Sequence, residues 1–131
     1  MKGMPPLILI VDDDAEVCRV LSTALTARGY DVLCAADAPM AEQLVEAREP
    51  DLILTDIVMD VADGLELINT ILRVRRLAVP IVAMSGALSA YGFDTLAIAE
   101  RLGAAAALAK PFSNALLFET VERVLSETVQ G

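Results

Sequence analysis

An α/β domain built on a parallel sheet follows from three observations on this sequence of 131 residues. Short apolar runs alternate with helix-spaced stretches along the chain, the runs are apolar throughout instead of at every second residue, and the composition is aliphatic. Alternating strand and helix patterns call for parallel strands, right-handed crossovers and helices on both faces of the sheet. Strands covered on both faces read as unbroken apolar runs. Hydrophobic residues make up 56% of the chain and aromatics 4%, which suits helices packed on an aliphatic sheet better than an aromatic-rich sandwich.

The elements can be justified in order. Leu7–Val11 is the first strand, and Val17, Val20, Leu21, Ala24 and Leu25 mark one face of a helix that Gly29 stops. Asp31–Ala35 is the second strand, with Pro39 at the edge of a helix carrying Ala41, Leu44 and Val45. Pro50 precedes the third strand, Leu52–Thr55, and Leu65, Ile68, Ile71 and Leu72 space the third helix. Pro80–Met84 is the fourth strand, and Ala97 to Leu102, closed by Gly103, is the fourth helix. Ala104 to Ala107 reads as a small-residue entry to the fifth strand, Ala106–Ala109. Leu117, Val121, Val124 and Leu125 space the last helix, and a frayed tail is expected after Leu125. The length suits one domain over 1–131 with its core at about 7–125, and no linker, long repeat or low-complexity tract interrupts it.

Composition narrows the function classes. With 19 acidic and 10 basic residues, net charge −9 and no Lys/Arg run, the chain lacks the footprint of nucleic-acid or anionic-membrane binding. No apolar stretch approaches a membrane span of about 20 residues, and MKGMPPLILIV meets acids too early for a signal peptide, so a cytoplasmic location is expected. Cys18 and Cys34 lack the spacing of a zinc or redox pair; both read as small core residues, and a bridge between them is not arguable from sequence. Histidine is absent, which removes the commonest general base and phosphoryl carrier.

The polar residues fall at strand ends. The first strand runs into Asp12, Asp13 and Asp14, the third ends at Asp56, the fourth at Ser85 and the fifth at Lys110. In such sheets ligands bind outside the carboxyl ends of the strands, so three carboxylates, a hydroxyl and an ammonium are expected at one rim. Two carboxylates about 4 Å apart repel by roughly 4 kcal/mol at an effective dielectric near 20. A hard divalent cation such as Mg²⁺ turns that repulsion into binding free energy. With Lys110 beside it, such a site would neutralise an incoming phosphoryl group, and Asp56 could attack it in line to give an aspartyl phosphate. Competing readings are milder. Asp14, or Asp13 with Glu16, can cap the first helix, and Asp60 and Asp63 read as a turn-forming pair with Gly64 allowing the turn.

These residues resemble the receiver domains of two-component response regulators. The resemblance rests on Asp12 and Asp13 after LILIV, Asp56 in DLILTDIVMDVADG, Ser85 in IVAMSGA and Lys110 in LAKPF, and it spans Leu7 to about Leu125. It implies a five-stranded, doubly wound, flavodoxin-like sheet in the order 2-1-3-4-5. It also implies that Asp56 is the phosphoacceptor and that Asp12, Asp13, Asp56 and the backbone carbonyl of Val58 hold Mg²⁺, with Mn²⁺ as a substitute. Ser85 and Lys110 would contact the phosphoryl group, and the Lys110–Pro111 bond would be cis.

The implied function is that of a single-domain response regulator, no enzyme beyond weak self-phosphorylation and autodephosphorylation. Its donor would be a histidine kinase or a histidine phosphotransfer protein, and its output a contact with a protein target. The opening Met and closing SETVQG fit a complete chain, with no output domain after the last helix. Departures from the family pattern carry expectations too. Asp60 stands where receivers commonly have Pro, and Ala107 stands where many have an aromatic switch residue. Tyr91 or Phe93, in a longer loop before the fourth helix, would then take over coupling to the helix-four surface. Val58 and Ala87, both apolar, cannot orient a water, which predicts slow autodephosphorylation. Two alternatives stand beside this reading. One is a haloacid-dehalogenase-like phosphatase, whose first motif Asp12-x-Asp14 mimics; the other is a docking or dimerisation module that works without phosphorylation.

Overall fold

A computed structural model describes residues 4–57, 64–86 and 95–130. Val58, Asp60, Asp63, Ala87, Tyr91 and Phe93 lie outside the described residues, so the expectations attached to them stand on sequence alone. Five parallel strands, β1 (Leu7–Val11), β2 (Asp31–Ala35), β3 (Leu52–Asp56), β4 (Ile81–Gly86) and β5 (Ala106–Lys110), form one sheet in the order β2-β1-β3-β4-β5. The helices between them are α1 (Ala15–Ala27), α2 (Ala38–Arg48), α3 (Gly64–Asn69), α4 (Thr95–Leu102) and α5 (Asn114–Gln130).

Period-two alternation splits the apolar strands between two cores. Leu9, Val11, Ile53, Ile81 and Ala83 face one cluster, with Val45, Leu67, Ile68 and Ala99 of α2, α3 and α4. Ile8, Ile10, Leu52, Leu54, Val82, Met84 and Leu108 face the other, with Leu21, Leu25, Leu117 and Val121 of α1 and α5. Burial of each large aliphatic side chain contributes about 1.5–3 kcal/mol, so both sheet faces are held by the same unbroken runs that identified the strands.

Local chemistry sets the helix ends. Asp14 caps α1, its Oδ1 accepting from the amides of Glu16 at 2.9 Å and Val17 at 3.4 Å, so this acid belongs to the helix. Helix α1 stops at Gly29, with φ 100°, where the Gly29 amide donates to Thr26 and that of Tyr30 to Leu25; Gly103, with φ 120°, ends α4 through the same pattern to Glu100 and Ala99. Pro39 stands in the first turn of α2, which needs no donor there.

Four expectations need correction. Strand β3 includes Asp56 and β5 includes Lys110, so the polar residues are the last ladder members, because parallel pairing to Met84 and Gly86 continues through them. The third helix is not one α-helix: after Asn69 it widens into a π turn, Thr70–Val74, in which the Arg75 amide reaches back to the Thr70 carbonyl at 2.8 Å. The backbone of α5 does not fray at Leu125 but stays helical to Gln130. Cys34 is exposed on the edge strand β2 and is no core residue, while Cys18 is buried as expected.

Candidate functional site

The site is built where β1, β3, β4 and β5 end together. Asp12 follows β1 directly and is only 1% exposed, Asp56 closes β3 at 8%, and Ser85, next to last in β4, is 3% exposed. Asp13, one residue further along, is exposed. One carboxylate oxygen from each of Asp12, Asp13 and Asp56 lies within 4.8 Å of the others.

Two contacts hold the Asp12 carboxylate in this position. Its Oδ1 accepts from the Asp14 amide at 2.9 Å, and its Oδ2 accepts from Lys110 Nζ at 3.1 Å. The same ammonium lies 3.7 Å from Asp56 Oδ2, so one cation at the end of β5 spans two nearly buried carboxylates from β1 and β3. A carboxylate removed from water costs several kcal/mol unless compensated. Three acids gather here, and the Lys110 ammonium meets two of them, a donor set rich in hard oxygen. Mg²⁺ takes carboxylate oxygens in this way, keeping waters in its remaining positions, and the residues present fit it.

The backbone below Asp56 is as constrained as its side chain. The Thr55 hydroxyl donates to the Asp56 carbonyl at 2.9 Å, and the Gly64 amide donates to the Ile57 carbonyl at 2.7 Å. A Cβ at Gly64 would stand 2.1 Å from the Asp56 carbonyl oxygen. Glycine is therefore required by close approach of two backbone segments, and not only by the freedom of a turn. Sequence reading missed this role of Gly64, although a glycine opening a helix after an acidic turn was the available signal.

Structure thus brings together Asp12, Asp13, Asp56 and Lys110, places Ser85 at the neighbouring end of β4, and makes the Lys110–Pro111 peptide cis. Ala107 lies elsewhere, half-buried in β5 opposite Ala83 and packed against the α2–α3–α4 core. Residues 8–122 match the family described as "Response regulator receiver domain". The chain belongs to the response regulator receiver family. This receiver is 35% identical over 106 residues to the alkaline phosphatase synthesis transcriptional regulatory protein PhoP of Bacillus subtilis, a match covering 81% of this chain and 42% of that protein. It is 34% identical over 120 residues to the DNA-binding transcriptional regulator NtrC of Rhizobium meliloti, covering 92% of this chain and 24% of that one. Among solved structures, the receiver domain of Francisella response regulator 1452 superposes with a TM-score of 0.83 at 28% identity, covering 94% of this chain and 98% of that one. The receiver therefore spans less than half the length of these two curated relatives. Among the described residues no helix is long and apolar enough to cross a membrane.

Proposed function

We propose that this receiver accepts a phosphoryl group on Asp56 from a phosphohistidine of a histidine kinase or phosphotransfer protein, with Mg²⁺ bound, and signals through protein contacts. The observation that carries the reading is the Lys110 ammonium set between Asp12 Oδ2 at 3.1 Å and Asp56 Oδ2 at 3.7 Å. Asp56 Oδ2 attacks phosphorus in line, the P–N bond to the donor imidazole breaks, and an acyl phosphate forms. Lys110 orients the acceptor and balances charge on the phosphoryl oxygens, and Ser85, at the neighbouring strand end, donates its hydroxyl to one of them. Asp12, Asp13 and Asp56, with the Val58 carbonyl, would hold Mg²⁺ or Mn²⁺. When bound, the ion supplies the positive charge that an incoming phosphoryl group needs in so acidic a rim.

A shallow groove beside Lys110, lined by Val17, Val20, Leu21, Pro111 and Phe112, supports docking of the donor there, with its imidazole presented to the rim. The phosphatase alternative is disfavoured because Asp14 is committed to the α1 amides. Val58 and Ala87 support a long-lived acyl phosphate, which a rapid decay with Mg²⁺ present would contradict.

The test uses a small phosphodonor and Mg²⁺, read by intact mass. Wild type gains one phosphoryl group, and Asp56→Asn gains none. Absence of an adduct in the wild type sinks the reading. Mg²⁺ alone raises the melting temperature of the wild type and not of Asp13→Asn, since an ion that binds only the folded chain stabilises it by mass action.

A further inference from the structure

Two thiols sit beside the acidic rim without a part in phosphoryl transfer. Cys18 lies in the second turn of α1, and Cys34 stands in β2 opposite Ile10. Alternation along β2 puts Val32 on the α1–α5 side of the sheet, so Cys34, two residues on, faces the same side. There the Cys34 thiol reaches the Cys18 carbonyl at 4.0 Å. The Cys18 thiol in turn donates to the Asp12 carbonyl at 3.4 Å. The pair is unequal: Cys34 is open to solvent and Cys18 is buried.

We infer that Cys18 and Cys34 form an oxidisable dithiol that closes to an intrachain disulfide between α1 and the edge strand when the chain meets a hydroperoxide. Cys34, the solvent-exposed thiol, reacts first: its sulfur takes the terminal peroxide oxygen, the O–O bond breaks, and Cys34 sulfenic acid and water are the products when hydrogen peroxide is the oxidant. The Cys18 sulfur then attacks the sulfenic sulfur, the S–O bond breaks, a second water leaves, and the S–S bond forms. Overall, two thiols lose two electrons and two protons, and one peroxide becomes two waters. Cys18, buried where Cys34 is exposed, is the resolving partner and not the first target. Proximity in space, not spacing in the sequence, makes the pair, and closing it requires an S–S bond of about 2.05 Å.

The experiment treats the full-length chain with a small excess of hydrogen peroxide, quenches it, and maps peptides without reductant. The wild type loses the mass of two hydrogens and yields one cross-linked species joining the peptides of Cys18 and Cys34, reversed by dithiothreitol. In Cys18→Ser the reaction stops at Cys34, and dimedone labels that residue several-fold more than in the wild type. In Cys34→Ser the Cys18 thiol stays reduced over the same exposure. The proposal is overturned if wild-type Cys34 accumulates sulfenic or sulfinic acid with no intrachain cross-link, or if the only disulfide is a Cys34–Cys34 dimer. The wild-type map decides the matter even if a serine variant folds poorly, and it needs no phosphodonor.

Discussion

The two ends of the sheet hold the same kinds of charged residue under opposite conditions. At the carboxyl ends, Asp12 and Asp56 are almost fully buried, and Lys110, whose side chain is 28% exposed, spans them. At the amino ends, Asp51 accepts from the Leu7 amide at 2.7 Å in an exposed position, and Arg75 meets Glu46 at 3.1 Å with side chains 31% and 72% exposed. Exposed ion pairs contribute about 0–1 kcal/mol, whereas a buried carboxylate imposes a cost that its partners must offset. Charge held at a cost marks the end where the proposed phosphoryl transfer would take place, while charge at the other end is close to energetically neutral.

Four substitutions sharpen or break that contrast, from the largest effect to the smallest. Gly64→Ala drives a methyl group into the Asp56 carbonyl, and a loss of about 3 kcal/mol is expected in denaturant unfolding, together with the phosphoryl adduct. Lys110→Met leaves Asp12 buried beside Asp56 without its cation. About 2 kcal/mol is expected there, discounted for the partial exposure of the lysine, and a value near zero would erase the distinction between the two ends.

The third concerns pH. Burial pushes the folded Cys18 thiol up to about 12, while an unfolded thiol titrates near about 8.5. Between those values the unfolded chain releases a proton that the folded chain keeps, so stability is whole below about pH 8.5 and falls as pH rises above it. By about pH 9.5 the loss is about 1 kcal/mol in the wild type, and it is absent in Cys18→Ala. Last, Arg75→Ala at the opposite end is expected to cost less than about 0.5 kcal/mol by thermal unfolding.

Fold and site were legible to different depths. Apolar runs identified all five strands, most cleanly β1, β3 and β4, whose burial on both faces leaves almost no polar position to blur the pattern, while the edge strand β2 carries exposed Asp31 and Cys34. Asp12, Asp13, Asp56, Ser85 and Lys110 could be gathered on paper because a parallel sheet delivers every strand end to one rim. What stayed hidden depends on contacts across the chain. A glycine opening a helix hints at a special backbone position but not that Gly64 touches the backbone of Asp56, and nothing local announces that Cys34 lies at the sheet edge against Cys18, since spacing along the chain says nothing about approach in space. The π turn at Thr70–Val74 escaped for another reason: Leu65, Ile68, Ile71 and Leu72 keep ordinary helical spacing, and the widening shows only in which carbonyl the Arg75 amide finds.

That widened turn bears on how this chain tolerates changes of length. A π turn accommodates one residue more than the α turn it replaces. Deleting a single residue within 70–74 would let the helix close to ordinary pitch while Leu67 and Ile68, upstream, stay seated in the core. A chain one residue shorter within 70–74 would therefore keep its upstream core contacts.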